Sequence, residues 1–153
     1  MKQTVNSIIH IFRNSGKKHL FITGSKKSGK TTMFKQLYPE LLNSKCGITS
    51  YLYKDTCVIL EEDATNEKTM IGKRIDGWMH CVKEGFLTLG VDAIDRMMEN
   101  MSDWASIDEI GFLEAHCTEF LDMISQVMAK KHLLAVVRKQ NLPHLKSLCE
   151  HED

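Results

Sequence analysis

Apolar residues along the chain fall into two rhythms, one helical and one extended. In "TVNSIIHIFRNSGKK", Val5, Ile8, Ile9 and Phe12 recur at helical spacing and Gly16 can close the turn, so residues 1–16 read as an amphipathic helix packed on the domain. "KKHLFITG" is a short apolar run ending in glycine, and "KTTMFKQLYPELL" sets Met33, Phe34, Leu37 and Leu41 at helical intervals. The order there is strand, glycine loop, helix. "GITSYLY" and "DTCVILEE" predict a strand and a hairpin partner. "EEDATNEKTMIGKRIDG", charged and punctuated by glycine, reads as a long loop. "FLTLGVDAIDRMMENM" aligns Phe86, Leu89, Ala93, Ile94, Met97 and Met98 on one helical face, and "WASIDEIG" is a buried strand ending in acids. A helix over about 114–130 carries Phe120, Leu121, Ile124, Val127 and Met128, "KHLLAVVRKQ" is a further buried strand, and "LPHLKSLC" a short helix begun near Pro143. Strands alternating with helices predict an α/β fold with a mainly parallel central sheet covered on both faces.

Size and charge narrow the partners. The 153 residues, 42% of them hydrophobic, suit one domain over 1–153 with a single core. Twenty acidic residues balance twenty basic ones, so no overall positive field exists to hold a nucleic acid or an anionic membrane. The N-terminal apolar run is short, interrupted by His10 and Arg13, and reads as neither a secretory signal nor a membrane span. Five scattered cysteines, with no C-x-x-C, point to a reduced cytoplasm and away from a disulfide framework or a zinc knuckle. His80-Cys81 and His116-Cys117 lack second ligands at suitable spacing and read as structural, while Trp78 and Trp104 read as packed aromatics.

The chemistry is concentrated in two loops. "GSKKSGKTT" matches G-x-x-x-x-G-K-[ST] with Gly24, Gly29, Lys30 and Thr31 in the defining places, and it stands between a predicted strand and a predicted helix. Glycine there lets backbone N–H groups close on phosphate oxygens, and the positive end of the helix faces the same oxygens. The cradle spans Gly24, Ser25, Lys26, Lys27, Ser28, Gly29, Lys30, Thr31 and Thr32. Lys30 suits the β- and γ-phosphates, and the Thr31 hydroxyl suits the shell of a magnesium ion. In "SIDEIG", Asp108 ends a predicted strand where a carboxylate can hold magnesium, and Glu109 can orient or deprotonate an attacking water. Among the arginines, Arg138 is best placed to steady charge on the γ-phosphate, just past a strand; Arg74 is a weaker candidate in the long loop, and Arg96 a third.

On "GKTT" and "IDEIGFLE" the chain resembles the small P-loop nucleoside-triphosphatases first described from thermophiles, whose vertebrate member is the cancer-related nucleoside-triphosphatase. Asp108, Glu109, Ile110, Gly111 and Glu114 fall in register with that family's D-E-I-G-x-M-E signature. "FLTLGVDAI" is similar to its F-x-x-x-G-x-x-A-L helix and "LLAVVRK" to its following strand, so the resemblance covers most of residues 18–148. It implies a P-loop NTPase with a RecA-like three-layer fold, another strand lying between the P-loop strand and the DEIG strand, and magnesium-dependent hydrolysis of several nucleoside triphosphates to diphosphates. Three departures stand out. Lys26 and Lys27 occupy places where the family has small residues, Phe112 replaces a polar or basic residue, and family members continue into another strand beyond the point where this sequence stops at Asp153.

The residues therefore lead to a cytoplasmic hydrolase of ATP or GTP. Two other readings share the cradle: a nucleotide or small-molecule kinase, and a slow-turnover switch or assembly module whose protein partner the sequence does not name. A kinase lid is commonly rich in arginine, and the chain's four arginines are dispersed, which disfavours the kinase.

Overall fold

The computed structural model describes residues 2–24 and 29–138, with the side chains of residues 2 and 3 left aside. In chain order the elements are α1 (Lys2–Ser15), β1 (Leu20–Gly24), α2 (Lys30–Leu41), β2 (Gly47–Tyr53), β3 (Cys57–Glu62), β4 (Lys68–Ile75), β5 (Trp78–Cys81), α3 (Lys83–Gly85), α4 (Val91–Glu99), β6 (Trp104–Ile110), α5 (Thr118–Lys130) and β7 (His132–Arg138). A widened π-helical turn, Phe86–Gly90, joins α3 to α4, and a 3-10 helix, Phe112–His116, follows β6.

The seven strands form one sheet in the order β1-β7-β6-β2-β3-β4-β5. Its first half is parallel: β1 pairs β7, β7 pairs β6, and β6 pairs β2. The interposed strand expected from the family resemblance is β7. Its second half is an antiparallel meander from β2 through β5. This is a RecA-like P-loop fold with an extended sheet edge.

Alternation along β6 sorts the layers, because successive strand side chains face opposite sides. Trp104 packs on Phe12 of α1 at 5.5 Å, and Asp108 meets Thr31 of α2, so α1 and α2 cover one face. On the other, α4 and α5 close over Ala105 and Ile107, with Phe86 and Phe120 at 4.8 Å in the buried interior. Leu133, Leu134, Ala135, Val136 and Val137 are all fully buried, as a central strand covered on both faces requires.

Several expectations need correction. The stretch read as a loop over 61–77 contains β4, and β5 follows it. Its strand signal is weak because only Ile71 and Gly72 of β4 are buried, next to the charged pair Lys73 and Arg74. Trp78 is not core: it is 76% exposed on the outermost strand, whereas Trp104 is packed between Phe12 and His132. The helix expected from about 114 is broken at Cys117 into the 3-10 turn and α5. The helix near Pro143 lies outside the described residues.

Candidate nucleotide site

The C-terminal ends of β1, β7 and β6 lie side by side, and the sequence puts its reactive residues there. Gly24 ends β1 opposite Arg138, which ends β7. Across the loop, Gly29 precedes α2 with φ of 87°, a left-handed conformation open to glycine at little cost. Among the described residues no side chain caps α2, and the start of a helix is where an anion is favoured. Lys30 reaches back to the start of the loop, its Nζ donating to the Gly24 carbonyl at 2.9 Å. Thr31 and Thr32 occupy the exposed first turn. Ser25, Lys26, Lys27 and Ser28 lie outside the described residues.

Asp108 is 6% exposed and lines one cavity with Thr31, whose hydroxyl favours its ionised form. Burial, then the neighbouring Glu109 carboxylate, push its carboxyl up to about 6, against the pull of Lys35 and Thr31. An anion so placed is one that a divalent cation would hold ionised. A carboxylate beside a hydroxyl also matches magnesium, a hard cation that takes few protein oxygens and keeps most of its waters. Among the described residues no cluster of three or more His, Cys, Asp or Glu could hold a metal.

Pairing with β7 slips at the next residue: Asp108 lies opposite Val136 and Ile110 opposite Val137, leaving Glu109 as an extra residue in β6. Such a bulge re-aims a side chain. Glu109 Oε1 stands 3.9 Å from Arg138 Nε, both about one-third exposed. The Asp108–Glu109 peptide is cis.

Two further acids belong to this neighbourhood. Glu114, in register with the signature but given no role from the sequence, is buried, and its Oε2 accepts the Gly111 N–H at 2.8 Å. Burial raises its carboxyl to about 7, with Glu109 adding to the rise and Arg138 opposing it. Asp63, just past β3, was read as part of a loop. Its carboxylate accepts hydrogen bonds from Thr49 (3.1 Å) and Ser106 (3.5 Å), and burial raises its pKa. No motif marks Asp63, because its partners Thr49 and Ser106 come from separate strands.

The other candidates lie apart from this cluster. Arg74 is held by the Asp55 carbonyl and carboxylate and by the Gly77 carbonyl. Arg96 grips the buried carboxylate of Glu62 with Nε at 2.9 Å from both oxygens, tying α4 to β3.

Comparison with known proteins bears on the family and the fold. The pattern of the NTPase family matches residues 19–153. No curated protein matches. Among solved structures, the crystal structure of THEP1 from the hyperthermophile Aquifex aeolicus is similar to this chain, with 19% identity and a TM-score of 0.72 over 86% of this chain and 84% of that one. That likeness carries the fold. Together with the match over residues 19–153, it places the chain in the family of small P-loop NTPases first described from thermophiles.

Proposed function

We propose that the protein hydrolyses nucleoside triphosphates, ATP or GTP among them, to diphosphate and phosphate with magnesium, in the cytoplasm. The observation that carries this reading is the convergence of Lys30, Thr31, Asp108, Glu109 and Arg138 at the ends of three adjacent strands. The backbone from Gly24 to Thr32, with Ser25, Lys26, Lys27, Ser28 and Gly29 in the loop, cradles the phosphates, and Lys30 compensates their charge. Thr31 and Asp108 stand on the metal side. A magnesium ion held there would supply charge neutralisation to the phosphates.

Glu109 accepts the proton of the attacking water. The water oxygen bonds to the γ-phosphorus as the bond to the β–γ bridging oxygen breaks, and the diphosphate leaves with that electron pair. Arg138 faces both Glu109 and the Gly24 end of the cradle, where it can steady charge developing on the γ-phosphate. Balanced charge disfavours nucleic acid as a partner, and no helix among the described residues is long and apolar enough to cross a membrane.

Phosphate release from ATP, GTP, CTP and UTP tests the reading, each with magnesium and again with excess chelator. Release with magnesium and its loss on chelation are expected. Tight binding of a triphosphate with no release from any of the four would turn the reading to a switch.

A further inference from the structure

A groove of about 530 Å³ opens beside the nucleotide site, between α2 and strand β2, with Asp63 and Asp108 also lining it. Thr31, Phe34, Lys35, Tyr38 and Pro39 form its helical wall, and Thr49, Ser50, Tyr51, Asp63 and Asp108 its floor and far side. Thr31 and Asp108, at its inner end, are the residues assigned above to the metal side of the terminal phosphates. A molecule in the groove would therefore lie against the γ-phosphate, on the side from which a nucleophile can approach.

The lining selects a kind of molecule. Two carboxyls, Asp63 and Asp108, face the groove, and Lys35 is the only cationic side chain lining it among the described residues, so a second phosphorylated compound is disfavoured. Phe34, Tyr38 and Tyr51 give it aromatic walls for a flat ring. Asp63 is the polar anchor. Hydroxyls on Thr49 and Ser106 hydrogen-bond its carboxylate, and no salt bridge reaches it among the described residues. A carboxylate offers about four lone-pair positions, so two protein donors leave room for a ligand hydroxyl. The position is built into the backbone: a β-carbon on Gly47 would fall 1.9 Å from Ser106 Oγ and 3.0 Å from Asp63 Oδ2.

We infer that this groove is an acceptor subsite for a neutral, hydroxyl-bearing ring compound of nucleoside size, and that the protein can pass the γ-phosphoryl group to that hydroxyl instead of to water. The acceptor oxygen bonds to the γ-phosphorus, the bond to the β–γ bridging oxygen breaks, the diphosphate leaves with the electron pair, and the hydroxyl proton goes to Asp63. Asp63 thereby becomes a catalytic residue of transfer. The inference rests on the hydrolase reading for the position of the triphosphate and adds a second fate for its terminal phosphate.

The test incubates the full chain with ATP labelled in the γ-phosphate, magnesium, and adenosine, guanosine, cytidine or uridine in turn, and counts labelled nucleoside monophosphate and free phosphate in the same reaction. Saturation-transfer NMR of each nucleoside, with a non-hydrolysable triphosphate present, reads groove binding separately. Labelled product from at least one nucleoside is expected. Asp63→Asn should lower its rate by about 10²-fold or more, as loss of a general base does. Tyr51→Ala should raise the acceptor KM about tenfold, as loss of an aromatic wall does. Free phosphate with no labelled nucleoside and no saturation transfer overturns the acceptor subsite and leaves the hydrolase standing. Labelled product that neither substitution reduces places transfer elsewhere and overturns it too. If neither phosphate nor product forms, the hydrolase reading falls, and absence of saturation transfer then removes the groove as well.

Discussion

Glu114 shows how much a single buried carboxyl can govern. Its Oε2 accepts the Gly111 N–H, and burial raises the group from an ordinary 4.5 to about 7. The folded chain therefore holds a proton that the unfolded chain has already released, and this destabilises the fold. The cost is absent below about 4.5, grows as pH rises, and is complete above about 7. Glu114→Gln keeps an oxygen for Gly111 and has no charge to bury. By denaturant titration it should match the parent near pH 4.5 and exceed it by up to about 3 kcal/mol above about pH 8; a gap that does not change with pH would refute the assignment. Such coupling is not legible in sequence. The candidates Gly24, Gly29, Lys30, Thr31, Asp108 and Glu109 are, because they fall at short spacings in motifs suited to phosphate and magnesium chemistry. Asp63 meets Ser106 across 43 positions and leaves no such trace.

At the scale of elements, packing decides what pattern alone left open. Gly85 lies in α3 where the helix touches β4, and a β-carbon there would fall 2.1 Å from the Met70 carbonyl oxygen. Backbone cannot swing aside as a flexible side chain can. Gly85→Ala should therefore destabilise the chain by about 1–3 kcal/mol, the usual effect of overpacking, seen as a lower denaturant midpoint at unchanged slope. An unchanged midpoint would mean that α3 does not rest on β4. The parallel strands and their helices were readable, since continuous apolar runs such as Leu133–Val137 and helical stripes such as Phe120, Ile124, Val127 and Met128 are strong signals. β4 was not, because a strand of eight residues that buries only Ile71 and Gly72 shows neither rhythm. The break at Cys117 was missed for a similar reason: Leu113 and Phe120 are both buried, so apolar spacing runs across two helices that the backbone separates.

Across the whole molecule, the two halves of the sheet have different work. The parallel half, β1-β7-β6-β2, brings Gly24 and Lys30 and the acids of β6 to one edge. The antiparallel meander extends the same sheet and forms the floor beside that edge, where Asp63 lies. If the molecule is a hydrolase, Glu109 is the residue whose chemistry distinguishes turnover from mere binding. The direct measurement compares Glu109→Gln with the parent in magnesium-dependent phosphate release and in triphosphate affinity. Gln keeps the shape and can still hydrogen-bond a water, but it cannot take its proton, so release should fall by about 10²- to 10⁴-fold. Affinity should stay within a few-fold, because removing a negative charge near the γ-phosphate does not weaken its attraction to the site. Release from Glu109→Gln at the parental rate would contradict the account at its centre.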